Sequence, residues 1–162
     1  MSMRFCTRCA TPLEDKVEEG KTRRACPREG CGFIHYGNPL PVVAAIVEHE
    51  GEVLLVRAQG WPEKFFGLVT GFLEAGESPE AGVLRELKEE LGLEGEVVSL
   101  VGVYPFEQRN ELIVAYHLKA RGTVRLGAEL AGYKRIAKEK LRAWDFGTGL
   151  AVRDWLRRRA GS

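Results

Sequence analysis

Three glutamates between positions 86 and 90 are the side chains of this sequence best suited to bind a divalent cation. Glu86, Glu89 and Glu90 stand at positions i, i+3 and i+4, so on a helix they share one face. Like charges at this spacing destabilise a helix by about 0.2–0.5 kcal/mol per pair. A Mg2+ or Mn2+ ion would offset that repulsion, because hard cations prefer carboxylate oxygens. The alternative interpretation is a solvated acidic face without a ligand.

The residues around these glutamates predict a helix that follows a glycine-containing loop. Ser78 and Pro79 are a typical helix start, since a hydroxyl caps the first turn and proline suits the first helical position. Gly92 is well suited to end the helix. Apolar residues spaced i, i+3 and i+7 predict a buried stripe on the side opposite the glutamates, at Leu84, Leu87 and Leu91.

All four cysteines fall within the first 31 residues and form a second candidate metal site. Two residues separate Cys6 from Cys9, and four separate Cys26 from Cys31. Two close pairs predict a zinc ribbon whose four thiolates complete a structural, non-catalytic site. So short a segment cannot bury a large core, and bound metal would supply its folding energy. Two disulfides are the alternative, which a reducing cytosol disfavours. His35 is the nearest substitute ligand.

Length and composition favour one medium domain with a small appendage. The chain has 162 residues, of which 44% are hydrophobic, and its formal net charge is +1. A charge so close to zero gives no long-range field that would attract nucleic acid or anionic lipid. The sequence has no apolar run of membrane-spanning length and no hydrophobic secretory region at its start, so we expect a cytoplasmic protein.

Strand and turn patterns predict an α/β fold. Apolar runs predict strands over 40–48, 52–57, 66–70, 97–104, 112–119 and 132–137. Residues 138–142 fit one helical turn, and Thr148 is expected to cap a final helix that ends near Arg159. Prolines near position 40 mark a boundary between a segment 1–38 and a larger domain 39–162. Strands that precede and flank two helices predict a sandwich around a mixed sheet.

The stretch from Gly71 to Leu93 fills every defining position of a known signature. Along the chain these positions are Gly71, Glu77, Arg85-Glu86-Leu87, Glu89-Glu90 and Gly92-Leu93. The chain therefore resembles the Nudix hydrolases. The cysteine module followed by Asn38-Pro39 resembles the branch of NADH pyrophosphatases and ADP-ribose or FAD diphosphatases with N-terminal zinc ribbons. The resemblance covers essentially the whole chain and implies a Nudix α/β/α sandwich around a mixed sheet, with a small N-terminal zinc ribbon.

The resemblance implies a metal-binding role for four residues of this signature. Glu86 and Glu90 are the principal ligands of Mg2+ or Mn2+ in such a site. Glu89 is either a further ligand or the catalytic base, and the carbonyl of Gly71 joins the metal ligands.

The same resemblance assigns supporting roles elsewhere. Arg85 and Glu77 pair with each other and orient the helix. A further carboxylate from a late loop often completes the catalytic site in this branch, and Glu129 lies where we expect it. The alternative for Glu129 is an ordinary surface residue.

The reaction that the resemblance implies is hydrolysis of the diphosphate bond in a nucleoside diphosphate derivative, such as ADP-ribose, NAD(H) or FAD, to two monophosphates. Trp61, Tyr104 and Phe106 are candidates for stacking on a base, and each also suits the core or its rim. Residues 103–112 keep only a Pro-Phe pair of the NADH pyrophosphatase motif, so we expect no strong preference for NADH. Residues 146–150 resemble a helix entry that contacts phosphate or ribose, or they form a plain cap.

Two other functions remain open at this point. One is a non-catalytic module that senses or binds a nucleotide, which the intact carboxylate set disfavours. The other is an enzyme of the same class that acts on the 5′ end of a capped RNA. We expect a homodimer with a small-molecule nucleotide as substrate, and we expect neither a membrane nor nucleic acid as a partner.

Overall fold

The computed structural model describes residues 3–161, in a chain that divides into two compact units, Met1–Asn38 and Pro39–Ser162. The first unit contains a three-stranded antiparallel sheet of β1 (Glu14–Glu18), β2 (Lys21–Ala25) and β3 (Ile34–His35). The two residues between β1 and β2 have positive φ angles of 50° and 76°, as a tight two-residue hairpin requires.

The first unit has a very small apolar core. Its buried hydrophobic residues, within the described part of the chain, are Cys6, Leu13 and Ala25. Burial of three side chains stabilises a segment of this size too little for it to fold alone. The prediction that the segment needs another source of folding energy is consistent with this core.

The second unit is built on one six-stranded mixed sheet with the order β7-β8-β4-β5-β9, and β6 pairs with β4. The pairing of β4 with β8 is parallel and the other pairings are antiparallel. The strands are β4 (Leu40–His49), β5 (Glu52–Ala58), β6 (Val69–Phe72), β7 (Glu94–Phe106), β8 (Glu111–Arg121) and β9 (Leu130–Ala137).

Two helices cover the two faces of this sheet. The helix α1 (Pro79–Leu91) contributes to one apolar cluster, and α2 (Gly149–Ala160) contributes to another on the opposite face. Alternate residues of β4 enter the two clusters, because successive side chains of a strand point to opposite faces. The predicted α/β sandwich around a mixed sheet is confirmed. Within residues 3–161, neither helix is long and apolar enough to cross a membrane.

Several local predictions differ from the structure, among them the strand expected over 66–70, which is found as β6 over Val69–Phe72. The strand β7 begins at Glu94, earlier than predicted, because bulges at 97–99 and 100–102 break the alternation of apolar residues. Lys138–Lys140 form a turn rather than a helix. Thr148 precedes α2, but it already has helical dihedral angles and its side chain makes no capping hydrogen bond.

Candidate active site

Both ends of α1 are fixed by local hydrogen bonds. The Ser78 hydroxyl accepts a hydrogen bond from the backbone N–H of Ala81 at 3.2 Å, and Pro79 is the first helical residue. At the other end Gly92 has a φ of 67°, and its N–H donates to the carbonyl of Lys88. The predicted helix start and end are both confirmed.

The helix α1 buries its apolar side and presents carboxylates on the other. Leu87 and Leu91 are buried in the core as predicted, with Val83 beside them, and Leu84 is half-buried against the same cluster. The glutamates of the opposite side line a cavity of about 550 Å³, here called the carboxylate cavity. Its lining includes Gly71, Arg85, Glu86, Glu89, Glu90 and Glu129.

Glu129 reaches this cavity because the loop before β9 packs tightly against α1. The N–H of Gly127 donates to the carbonyl of Glu90 at 2.9 Å. A Cβ at position 127 would lie 2.4 Å from the carbonyl oxygen of Glu89, so only glycine permits this approach. The loop thereby brings Glu129 to the same cavity as the three glutamates of α1, although 39 positions separate Glu129 from Glu90 in the sequence.

Arg85 connects the loop before α1 to the carboxylates of the helix. Its guanidinium bonds both carboxylate oxygens of Glu77, at 2.8 Å and 3.0 Å, and also the carbonyl of Phe72 at 3.0 Å. It contacts Glu86 at 2.6 Å and Glu89 at 3.0 Å as well. A bidentate pair fixes orientation as well as charge, so the geometry agrees with the positioning role proposed for Arg85 and Glu77. The Arg85 hydrogen bonds lower the pKa of Glu77 below its usual range.

Gly71 leaves the space that the Glu86 carboxylate occupies. A Cβ built on Gly71 would lie 1.9 Å from Cδ of Glu86 and 2.0 Å from its Oε1. Since Gly71 has no positive φ angle, its role here is to permit close approach and not to adopt a special backbone conformation. The strand β6 and α1 therefore approach each other closely enough to bring the Gly71 backbone next to a carboxylate.

We expect Gly71→Ala to reduce activity by about 100-fold or more, because displacing a catalytic group by about 1 Å can cost that much. The added methyl group must push the Glu86 carboxylate out of place, so the apparent affinity for Mg2+ should fall as well. Steady-state kinetics over a Mg2+ titration would measure both effects. Gly132→Ala is the matched control, since a Cβ there meets no atom within 4 Å. Equal activity of the two variants would contradict this account.

Glu90 is the acidic residue of this cavity whose surroundings best fit a cation. Its Oε2 is buried and has no hydrogen-bond partner among the described residues. Burial, followed by the nearby charges of Glu86, Glu129 and Glu89, raises the pKa of Glu90 to about 8. Burial also raises the pKa of Glu86, although Arg85 opposes it. Hard divalent cations bind carboxylate oxygens. The unpartnered Glu90 oxygen and the neighbouring carboxylates therefore fit such an ion.

The metal-free protein should lose stability as the pH rises. Because folding raises the pKa of Glu90 from its usual 4.5 to about 8, the folded state favours the protonated acid. The contribution of Glu90 to the free energy of unfolding is therefore fully present below pH 4.5 and is lost as the pH rises to about 8. Thermal melts in a chelator should show this fall for the wild-type protein and a smaller fall for Glu90→Gln. Parallel pH profiles for the two proteins would argue against it.

A second cavity of about 270 Å³ adjoins the first and has aromatic walls. We call it the aromatic cavity. The rings of Trp61 and Phe65 lie 5.1 Å apart, and Phe65 stacks on Phe146 at 5.6 Å between centroids. Phe106 and Trp144 complete the walls. The structure thus brings together two of the three aromatic residues predicted to bind a base, Trp61 and Phe106.

Tyr104 lies elsewhere, and the expectation that it stacks on a base is not met by this geometry. Its ring is buried in the apolar cluster beneath α2, and its hydroxyl donates to Asp154 at 2.9 Å. The reason is the second bulge of β7, which turns Tyr104 toward the core while Val103 faces solvent. Tyr104 is therefore a core residue, which is the alternative that the sequence also allowed.

The sequence did not single out several residues that line the two cavities. Phe65 and Trp144 contribute aromatic surface, and Arg109 and Glu111 lie in the wall shared by both cavities. The cluster at 61–66, with three aromatic residues and one proline, was the available signal for Phe65. No local pattern marks Glu111, because its position follows from the pairing of β8 with β4.

The four cysteines of the first unit converge as the ribbon prediction requires. All are free, and their sulfur atoms lie within 4.8 Å of one another. Three sulfur pairs are 3.5 Å, 3.7 Å and 3.8 Å apart, close to the roughly 3.8 Å expected for tetrahedral zinc with bonds of about 2.3 Å. Hydrogen bonding with Thr11 lowers the pKa of Cys9 to about 6, whereas burial raises the pKa of Cys26 to about 12; a thiolate is the form that binds metal. The residues therefore fit a zinc ion.

Comparison with known proteins identifies relatives of the second unit. A model of the NUDIX domain matches residues 38–153. The NAD-capped RNA hydrolase NudC of Pseudomonas aeruginosa is 32% identical over 114 residues, which cover 70% of this chain and 40% of that protein. The mitochondrial NAD(P)H pyrophosphatase NUDT13 of Mus musculus is 34% identical over 115 residues, covering 70% of this chain and 31% of that protein. The chain thus spans less than half the length of either relative.

A solved structure gives a match over nearly the full chain. The crystal structure of a NUDIX hydrolase from Nitrosomonas europaea superposes with a TM-score of 0.81 at 26% identity, covering 98% of this chain and 91% of that one. The matching domain model contains α1, both cavities and the loop that carries Glu129. With its domain model, fold and glutamate helix in agreement, the chain belongs to the Nudix hydrolase family.

Proposed function

We propose that this protein hydrolyses the diphosphate bond of a nucleoside diphosphate derivative in a reaction that depends on Mg2+ or Mn2+. Water adds to one phosphorus, the bridging P–O bond breaks, and two monophosphates leave. The observation that carries the proposal is the unpartnered buried oxygen of Glu90 in the carboxylate cavity, directly beside a cavity with aromatic walls. One cavity suits a charged diphosphate with its cations, and the other suits a flat ring.

The residues of the carboxylate cavity have different proposed roles, which follow from their positions. Glu86 and Glu90, with the Gly71 carbonyl, are the proposed metal ligands, and Glu129 adds a fourth oxygen donor near them. Glu89 is the exposed member and already contacts Arg85, so it is either a further ligand or the base that takes a proton from water. A bound divalent cation would neutralise the phosphates and favour attack at phosphorus.

The proposed role of Arg85 is to hold the glutamates of the carboxylate cavity in position. Its bonds to Glu77 and to the Phe72 carbonyl anchor the guanidinium to the loop. From that position it offsets the charge of Glu86 and Glu89. The proposed role of Arg85 and Glu77 is therefore to position the ligands and not to contact the reacting atoms.

The aromatic cavity is the proposed site for the base of the substrate. Stacking on an aromatic side chain is worth about 1–3 kcal/mol per base, and Trp61 and Phe106, which line this cavity, are the proposed stacking residues. The proposed zinc ion of the first unit has a structural role, because four thiolates leave no open position for a substrate.

A substrate panel tests the proposal. We expect Mg2+-dependent release of two monophosphates from ADP-ribose, NADH or FAD, and no release when a chelator removes the cation. Nucleotide binding without hydrolysis in Mg2+ would instead support the sensing module. Nucleoside triphosphates and diadenosine polyphosphates in the same panel define the substrate class.

We expect kcat/KM for NADH to exceed that for ADP-ribose by less than about 100-fold, the order of selectivity that a dedicated hydrogen-bonding site can supply. The reason is that residues 103–112 lack most of the motif of NADH pyrophosphatases. Measuring kcat/KM for NADH, NAD+ and ADP-ribose tests this prediction. A larger preference for NADH would show that this segment still forms a nicotinamide site.

The similarity to an NAD-capped RNA hydrolase supports a second candidate, hydrolysis at the 5′ end of an NAD-capped RNA. The chemistry at the diphosphate would be the same, and the RNA would replace a small leaving group. Comparing kcat/KM for free NAD+ with that for a short NAD-capped RNA separates the candidates. The near-neutral charge of the chain offers little general attraction for RNA.

The cytoplasmic location and the homodimer stay predictions from the sequence. Support for a dimer comes from the outer strand β7, which exposes Val98, Leu100 and Val103. Light scattering at micromolar protein concentration measures the mass directly, and a monomer would count against a dimer.

A further inference from the structure

Glu111 is a buried carboxylate in the second unit that the proposed metal site does not use. It is 9% exposed, and only His49 joins it among the buried polar or charged residues of the described chain. It begins β8 and lies opposite Leu40 in the parallel pairing with β4. A buried carboxylate is costly unless it is paired or serves a ligand.

Glu111 lines both cavities. The carboxylate cavity and the aromatic cavity share four lining residues, Val42, Thr70, Arg109 and Glu111. A substrate with its diphosphate in the first cavity and its base in the second must pass this shared wall. In a nucleoside diphosphate the group between base and phosphate is the ribose, so the sugar of such a substrate would lie beside Glu111.

The chemistry of a carboxylate limits what can lie there. An ionised carboxylate only accepts hydrogen bonds, so its partner must be a donor, and a phosphate oxygen at the same place would be repelled. The two hydroxyls of a ribose are adjacent donors that match the two oxygens of a carboxylate. Acidic residues use this pairing on the ribose hydroxyls in unrelated dinucleotide-binding folds.

Arg109 supports this arrangement from the solvent side. Its Nε lies 3.4 Å from Oε1 of Glu111, and the arginine side chain is 63% exposed. An ion pair at this distance orients the Glu111 carboxylate and partly offsets its burial. A structural ion pair alone is the competing explanation, and it predicts no dependence on the sugar.

We propose that Glu111 is a specificity-determining residue that accepts hydrogen bonds from the ribose hydroxyls and selects ribonucleotide over 2′-deoxyribonucleotide substrates. The inference rests on the proposed diphosphatase function and adds the group that recognises the sugar. Glu111 lies outside the Nudix signature, and its role comes from its burial and its place between the two cavities.

The test compares two substrates that differ in one hydroxyl, ADP-ribose and its analogue with 2′-deoxyadenosine. Hydrogen bonds to charged groups are worth enough for the wild-type enzyme to prefer the ribo form by about 10- to 100-fold in kcat/KM. Glu111→Gln should bring that ratio to within about threefold, mainly through a lower kcat/KM for the ribo form, because the amide loses the charge but keeps the size. Glu107→Gln, an exposed glutamate on the same connection, should keep the wild-type ratio.

Three results would overturn the proposal. An unchanged ratio in Glu111→Gln would show that the residue does not recognise the sugar. An equal fall for both substrates would indicate a structural or metal-binding role. Lost discrimination between adenine and hypoxanthine analogues, with the sugar ratio intact, would place Glu111 at the base.

A binding measurement separates failure of this inference from failure of the proposed function. In a Glu90→Gln background, calorimetry gives the Kd of ADP and of 2′-deoxyADP, with and without Glu111→Gln. We expect the ribo form to bind more tightly only when Glu111 is present. If the wild-type enzyme cleaves no diphosphate, the proposed function fails, and this binding ratio still decides the role of Glu111.

Discussion

Replacing Glu90 by glutamine is expected to lower kcat for diphosphate hydrolysis by about 100- to 1,000-fold or more, since loss of one group that stabilises transition-state charge costs that much in other enzymes. The change removes a charge from the proposed metal ligands but preserves size. Because the Glu90 oxygen is buried and unpartnered without a cation, the variant should remain folded and should melt at an equal or higher temperature in a chelator.

Kinetics at saturating Mg2+, with circular dichroism as a check of the fold, measure this effect. Glu94→Gln is the matched control, since Glu94 follows the same helix and its exposed carboxylate contacts Lys88. Exposed ion pairs contribute little to stability, so the control should keep full activity. Near-normal turnover of Glu90→Gln would remove this residue from the proposed ligand set.

The second large effect is expected for Cys26→Ser, which should release zinc and unfold the first unit. The unit buries only a few apolar side chains in its described part, and metal binding in small zinc modules supplies about 10–16 kcal/mol at neutral pH. The second unit has its own core and should keep at least part of its activity.

Elemental analysis of the purified protein gives the zinc content, and limited proteolysis reports the loss of structure in residues 3–38. Val17→Ala serves as the control, because Val17 is exposed on β1. It is neither one of the four cysteines nor a buried residue of the first unit. One zinc per chain in the wild-type protein and little in Cys26→Ser is the expected result. A wild-type protein that contains no zinc, or a Cys6–Cys9 disulfide in reduced protein, would contradict it.

The sequence was sufficient to predict the features that depend on local spacing. The caps of α1, its buried leucines and the common face of Glu86, Glu89 and Glu90 all follow from helical periodicity and from residue types at helix ends. The convergence of the four cysteines likewise follows from two short spacings on a hairpin.

Features that depend on pairing between distant strands could not be predicted in the same way. Tyr104 was a candidate for stacking on a base, but the second bulge in β7 turns it into the core. Glu111 lies just before the strand predicted over 112–119, and its parallel pairing with β4 buries it. Phe65 and Phe146 stack although 80 residues separate them along the chain. Such contacts depend on register and topology, which short sequence patterns do not encode.

The tight contact between Gly71 and Glu86 also limits how this site can evolve. A side chain at position 71 overlaps the Glu86 carboxylate, so a change at either position alters what the other tolerates. An alanine at 71 requires the Glu86 carboxylate to move aside, or an acid at 86 that is shorter by a methylene, as aspartate is. Mutations at the two positions should therefore be epistatic, since residues in direct contact do not contribute additively. We expect a lineage that keeps the proposed metal site to keep both residues or to exchange them together.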